Sequence, residues 1–138
     1  MTQEIDERVP RTEPDLLGPF RRQWASALTT YKRDGTPVGT AVNIAVEGTR
    51  AFFRTYEQSW KFKRLRRNPG VEIAPATVTG QPVAPSVRAR ARLLDGAEAE
   101  HAAELINLQH PVFQGLLVRL SHQLLGYTTR HFELIPLG

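Results

Sequence analysis

Bulky hydrophobic residues alternate with small or polar ones through much of the chain, and this two-residue period predicts β-strands. The alternation is clearest over residues 37–46, where one predicted face is bulky and the other is small. An Asp34-Gly35 turn before this segment and Gly48 after it predict two consecutive hairpins, and therefore an antiparallel meander. The predicted strands span residues 24–31, 37–46, 50–55, 71–76, 87–94 and 127–136.

Three segments carry helical signals instead. Ser59, Asp95 and Pro111 suit the first turn of a helix, and Glu98 is placed to form a capping pair with Asp95. The helices are predicted to end at residues 68–70, 109 and 126. About six strands with a few helices predict a mainly β domain, a small antiparallel barrel decorated by helices.

The helix after Ser59 is strongly basic. It holds Lys61, Lys63, Arg64, Arg66 and Arg67 with no acid among them. Like charges one turn apart destabilise an isolated helix, whereas an anion at its N-terminus is attracted by the free N–H groups and the dipole. A solvated basic face is the alternative interpretation.

The segment before this helix favours an anion site. Arg54 and Thr55 leave a predicted strand, and Ser59 and Lys61 open the helix. Four anion-binding side chains are thus expected at one strand-to-helix junction. This arrangement suits a phosphate better than a long polyanion.

The small face of the second predicted strand suits a flat ligand. Gly39, Ala41 and Ala45 leave room beside the backbone, and Asn43 offers one donor and one acceptor to a ring edge. Close packing of the strand against a helix is the alternative interpretation.

Length and composition narrow the class of protein. The chain has 138 residues, which predicts one domain over residues 15–138, and residues 1–14 are polar and predict a mobile tail. It has no Cys, so disulfides and thiolate metal sites are excluded. The N-terminal segment lacks the apolar region of a signal peptide, and no apolar run approaches the length of about 20 residues that a membrane span needs. We therefore expect no membrane span and a cytoplasmic location.

The formal charge of +4 permits a nucleic-acid partner, but the positive excess is local. A nucleic-acid surface would need aromatic residues interleaved with the cations, and only Tyr56, Trp60 and Phe62 lie near them. We therefore expect a small-molecule ligand and no nucleic acid.

Chemical motifs for unaided catalysis are missing from the sequence. The four histidines lie far apart in sequence, so no metal site is expected and a surface or interface position is predicted for each. There is no nucleophile elbow, P-loop, dinucleotide fingerprint or obvious carboxylate pair. The catalytic residues are unassigned, and an enzyme of this sequence would depend on a cofactor.

Short motifs in a fixed order resemble the pyridoxamine-5'-phosphate-oxidase-like split β-barrel family. They lie at residues 34–38, 53–55, 59–61 and 65–71. The resemblance implies an antiparallel split β-barrel of the FMN-binding type that forms a homodimer with a flavin-type cofactor at the interface. The cofactor-binding residues that it implies are Ala41, Val42 and Asn43 at the ring, Thr55, Ser59, Trp60 and Lys61 at the phosphate junction, and Arg54, Lys63 and Arg64 as electrostatic helpers.

The compact length, Ser59-Trp60-Lys61 and the arginine-rich strand 87–93 look more like the branch that uses the deazaflavin coenzyme F-420. That coenzyme has a phospholactyl-polyglutamate tail, for which the surplus cations are suited. The resemblance then implies hydride transfer from reduced F-420 to an unsaturated small organic substrate. An FMN flavoprotein of the same fold, and a non-catalytic carrier or sensor of a deazaflavin or tetrapyrrole, are the alternatives.

Overall fold

A computed structural model describes residues 15–111 and 126–138. The predicted tail at residues 1–14 and the predicted third helix lie outside the described residues. The strands in the two described ranges are β1 (Ala25–Tyr31), β2 (Pro37–Val42), β3 (Ala45–Glu47), β4 (Arg50–Tyr56), β5 (Gly70–Ala76), β6 (Val87–Leu93) and β7 (Thr129–Pro136). The helices are a 3-10 turn (Gly18–Phe20), α1 (Trp60–Arg67) and α2 (Gly96–Gln109).

All seven strands form one antiparallel sheet in the order β2-β1-β5-β6-β7-β4-β3. β2 and β3 lie at opposite edges, although only Asn43 and Ile44 separate them in the chain. Three successive Cα steps reach at most about 11 Å, so the sheet must curl until its two edges approach. Over the described residues, the result is a mainly antiparallel β half-barrel with two α-helices, consistent with the predicted split-barrel fold.

The predicted strand over residues 37–46 is wrong in one respect, because the structure divides it into β2 and β3. Val42 pairs with Ser26 of β1, whereas Ala45 pairs with Phe52 of β4. Hydrophobic alternation continues through the break because Val42, Ile44 and Val46 are all buried in the same core. The two-residue period therefore could not reveal where the chain changes partner strand.

The two faces of the sheet pack against different elements. The inner face encloses the larger core, in which Phe53 and Phe132 stack with ring centroids 5.3 Å apart and Phe62 of α1 meets Phe132. On the outer face, Phe52 packs with Ile106 and other residues of α2. Successive strand residues point to opposite faces, so adjacent Phe52 and Phe53 serve the two cores.

An ion-pair network joins α2 to the sheet. Asp95 is the N-cap residue of α2, but its side chain makes no capping hydrogen bond, so the predicted Asp95–Glu98 pair is wrong. Glu98 instead accepts from Arg92 at 2.9 Å, and Arg92 also donates to Glu133 at 2.7 Å. The arginine competes successfully because its charge-assisted bonds are stronger than a backbone cap.

In the part of the chain that the structure describes, no helix is long and apolar enough to cross a membrane.

Candidate functional site

The junction between β4 and α1 is built around Ser59. Its Oγ accepts from the backbone N–H of Phe62 at 3.1 Å, which confirms the predicted N-cap, and donates to the carbonyl of Tyr56 at 2.8 Å. Thr55 Oγ1 lies 3.2 Å from Ser59 Oγ. The structure thus brings together the two hydroxyls that the sequence assigns to a phosphate.

Counting protons distinguishes the roles of these hydroxyls. A serine hydroxyl has one proton, and that of Ser59 is directed at Tyr56. Thr55 must therefore be the donor in the Thr55–Ser59 contact. Thr55 can turn its proton to an incoming oxyanion without uncapping α1, whereas Ser59 cannot do so without losing its bond to Tyr56.

Lys61 follows in the first turn of α1 and is partly buried. Burial lowers the pKa of Lys61 to about 8, and the positive charge of Arg64 contributes to the shift. Among the described residues, no acid forms an ion pair with its ammonium. A partly buried ammonium without a counter-ion is unfavourable, and an anionic ligand would relieve it.

Two of the three arginines of α1, Arg64 and Arg67, are fixed in place by neutral oxygens. Arg64 Nε donates to Thr30 Oγ1 at 2.7 Å, and Arg67 donates to the carbonyl of Tyr31 at 3.0 Å. These bonds orient the guanidinium groups without cancelling their charge. Both groups are therefore held ready for an anion.

A groove of about 600 Å³ lies between the β1–β2 turn and α1. We call it the cationic groove, and its lining residues are Lys32, Arg33, Asp34, Trp60, Arg64 and Arg67. Trp60 is 72% exposed, and Lys63 Nζ lies 4.5 Å from the centre of its ring. With four cations and one acid in its lining, the groove favours a polyanion.

Arg54 does not join this group. Because strand residues alternate, Arg54 points to the face opposite Thr55, where its Nη1 donates to Asn107 of α2 at 3.0 Å. It lies opposite His131 of β7 in the register. The predicted role of Arg54 at the phosphate is therefore not supported by its position within one chain.

His131 is a perturbed group that sequence reasoning missed. Burial lowers its pKa to about 4, and the charges of Arg54 and Arg130 add to the effect. Its Nε2 atom is buried and has no hydrogen-bond partner among the residues that the structure describes. The alternating pattern of the last predicted strand was the signal that could have identified this residue, because it places His131 and Glu133 on one face.

The predicted ring site is a small cavity. Ala41, Val42 and Asn43 line a volume of about 160 Å³ together with Trp24 and Val78. Asn43 Nδ2 donates to the carbonyl of Trp24 at 2.6 Å, so this donor already has a structural role. Ligand pockets usually hold about 300–1,000 Å³, and this one would need another wall to enclose a tricyclic ring.

The donor set at the α1 junction fits a phosphate-bearing cofactor. It combines an ammonium, a hydroxyl that can reorient and the N–H groups of a capped helix. The acidic and histidine side chains of the described ranges form no group of three or more that could hold a metal ion.

Comparisons with solved structures agree with the fold, whereas a search of curated proteins finds no match. A solved protein of unknown function from Agrobacterium tumefaciens is 19% identical with a TM-score of 0.70, covering 94% of this chain and 57% of that one. An F420 reductase is 16% identical with a TM-score of 0.58, covering 91% and 96%. HutZ, a heme storage protein from Vibrio cholerae, is 20% identical with a TM-score of 0.61, covering 91% and 90%.

At such identities the structural likeness shows the fold alone. The sequence match is more specific, since residues 15–115 match the family model described as pyridoxamine 5'-phosphate oxidase. That range contains the β4–α1 junction, the cationic groove and the small cavity beside β2. The chain therefore belongs to the pyridoxamine 5'-phosphate oxidase family.

Proposed function

We propose that this protein is a homodimeric oxidoreductase that transfers hydride from reduced F-420 to an unsaturated small organic substrate. The observation that carries the proposal is the partly buried Lys61 ammonium at the start of α1, with its lowered pKa and no acidic partner in the described ranges. Family membership supports a flavin-type cofactor, and F420 reductases among the structural neighbours support the deazaflavin form.

The phosphate would be held by Lys61, Thr55 and the N-terminal N–H groups of α1. Ser59 contributes mainly by capping the helix and fixing the position of Thr55. The bound cofactor supplies the hydride, while the protein binds, orients and shields it. The catalytic residues of the chain, including any proton donor, are unassigned.

The cationic groove is the reason that we propose F-420 rather than FMN as the cofactor. FMN ends in a single phosphate, for which Lys61, Thr55 and the N–H groups of α1 are sufficient. A polyglutamate tail carries several carboxylates, and the groove supplies four further cations on a surface that continues from α1. Lys63, beside Trp60, adds a fifth charge at the groove's margin.

A second protein surface is required to complete the ring site. The cavity at Ala41 to Asn43 is smaller than a tricyclic ring needs, and the exposed apolar side chain of Val78 lies at its wall. In a homodimer the partner subunit would cover Val78 and close the cavity. Both the small cavity and the exposed Val78 support the dimer.

The deciding experiment is a side-by-side titration of the purified protein with F-420, FMN and hemin. We expect F-420 to bind most tightly and its advantage over FMN to shrink with added salt, because the tail contacts are exposed. Lys63→Ala should weaken F-420 but not FMN. Tighter binding of FMN would favour the flavoprotein alternative, and heme binding without F-420 binding would favour the tetrapyrrole carrier.

A further inference from the structure

A second cavity, of about 440 Å³, is lined by residues before β1, at the β2–β3 link and at the end of α2. It shares no lining residue with the cationic groove. Its volume lies within the usual range for small-molecule sites. The proposed cofactor contacts at the α1 junction do not use it.

One wall of this cavity is flat and aromatic. The rings of Trp24 and His110 stack with their centroids 5.5 Å apart and their planes 21° from parallel. His110 is 7% exposed, and its Nε2 lies 3.0 Å from the carbonyl oxygen of Ile44. A carbonyl can only accept, so Nε2 carries the proton and the ring is fixed. Trp24, at 49% exposed, offers the stacking surface.

The amides at the cavity are already satisfied. Gln109 bonds both polar groups of the Val46 backbone, at 2.9 and 3.0 Å. Gln23 donates to the carbonyl of Ala76 at 2.9 Å. These bonds hold the walls in place, and they leave few polar groups to select a ligand.

The charge at the cavity comes from one arginine. Arg21 forms a two-pronged pair with Asp15, both bonds 3.1 Å long, so its charge is compensated. Arg22 is exposed and pairs with no acid in the described ranges. The cavity therefore presents a flat apolar wall and a single uncompensated positive charge.

We propose that this cavity binds a planar aromatic monocarboxylate, with its ring on the Trp24–His110 wall and its carboxylate on Arg22. A flat π-system stacks favourably on an indole, and a guanidinium pairs well with a carboxylate. One free charge selects a monoanion over a dianion. The site shares Trp24 with the small cavity beside β2, so its test is made without the proposed cofactor.

The test uses the full-length, cofactor-free protein with 2-naphthoate as the probe and 2-naphthalenemethanol as its neutral counterpart. Calorimetry measures both affinities. The chain has two Trp residues, so Trp60→Phe assigns the two indole N–H signals in a ¹⁵N NMR spectrum. We expect 2-naphthoate to shift the Trp24 signal and leave that of Trp60 in place.

Substitutions then test the carboxylate contact. Arg22→Gln should weaken 2-naphthoate by roughly five- to tenfold and leave the alcohol unchanged, as expected for losing one partly screened charge. The control Arg90→Gln removes an exposed charge from β6 and should change neither affinity. An unshifted Trp24 signal, or equal weakening of 2-naphthoate by the two variants, would overturn the proposal. Because the assay contains no cofactor, its failure is distinct from a failure to bind F-420.

Discussion

Lys61 is a residue at which stability and binding should conflict. A partly buried ammonium without a counter-ion destabilises the fold, so Lys61→Met, which keeps the aliphatic stem, should raise the melting temperature of the cofactor-free protein. The same change should raise the dissociation constant of FMN and F-420 by about ten- to a hundredfold, since it removes a charge-assisted contact. Thermal melts and titrations on one preparation measure both effects.

The matched control for this prediction is Lys63→Met. Lys63 is exposed and lies over Trp60, so its removal should leave FMN binding and the melting temperature nearly unchanged. Unchanged FMN affinity in Lys61→Met would mean that the phosphate does not bind at this position.

The pKa of Lys61 also predicts how binding depends on pH. In the cofactor-free protein its pKa is lowered to about 8 by burial, so the ammonium loses its proton above that pH. FMN is fully ionised above about pH 7, so binding above pH 8 requires proton uptake by Lys61. The FMN dissociation constant should therefore rise above pH 8, by up to about tenfold per unit. Lys61→Arg, which stays charged, should bind without this dependence, and an equal dependence in both proteins would exclude Lys61 as its source.

The lowered pKa of Lys61 also determines how the stability of the fold changes with pH. The folded-state pKa of Lys61 lies below the ordinary value of 10.5, so the unfolded chain binds the proton more strongly. The destabilisation is fully present below pH 8 and disappears as the pH rises towards 10.5. The stability difference between Lys61→Met and the parent should narrow over that window.

Residue spacing could predict which polar groups meet but not how deeply each is buried. Thr55 and Ser59 were expected together, because the strand ends and the helix begins within four residues. Arg54 was expected with them, although its place next to Thr55 turns it to the other face. The burial of Lys61 depends on how α1 packs against the sheet, and the short basic sequence of the helix does not by itself predict that packing.

At the scale of elements, the start of α1 has two separable roles, which are capping the helix and binding the proposed phosphate. Ser59→Ala removes the hydrogen bond to Phe62 N–H and should lower the unfolding free energy by about 1 kcal/mol. Ser59→Asp keeps a good N-cap and a favourable charge for the helix dipole, so it should be the more stable variant. It also places a carboxylate where a phosphate is proposed, so it should bind FMN more weakly than Ser59→Ala. Denaturant unfolding and FMN titration separate the roles, and equal FMN affinities would place the phosphate elsewhere.

Element types were largely predictable from the sequence because turn residues bound most of them. Gly48 and the Asn68–Gly70 stop mark strand and helix ends close to those observed. The link at Asn43 and Ile44 has no such marker. Its position is set by the pairing partners of β2 and β3, which are β1 and β4 and lie at different places in the sheet order.

For the whole molecule, we expect a homodimer at micromolar concentration. The cavity beside β2 is too small to enclose a flavin-type ring, and a partner subunit would supply the missing wall. Sedimentation velocity with and without cofactor measures the state. A monomer under both conditions would contradict this prediction and leave the ring site open to solvent.

The overall architecture was predictable because the family motifs occur in the right order, whereas the sheet order required the structure. β7 lies between β6 and β4, although about half of the chain separates β4 from it. Ala51 pairs with Leu134, and Ala91 pairs with Leu134 from the other side. Such long-range pairings leave no local pattern in the sequence.

This position of β7 affects how the protein can form during synthesis. Without β7, the β3–β4 hairpin has no strand to connect it to the rest of the sheet, and Phe53 loses its stacking partner Phe132. The half-barrel therefore cannot close while residues 129–136 are still inside the ribosome. Until they emerge, the nascent chain exposes the apolar faces of β4 and β6, and it is in this interval that chaperones would be needed most.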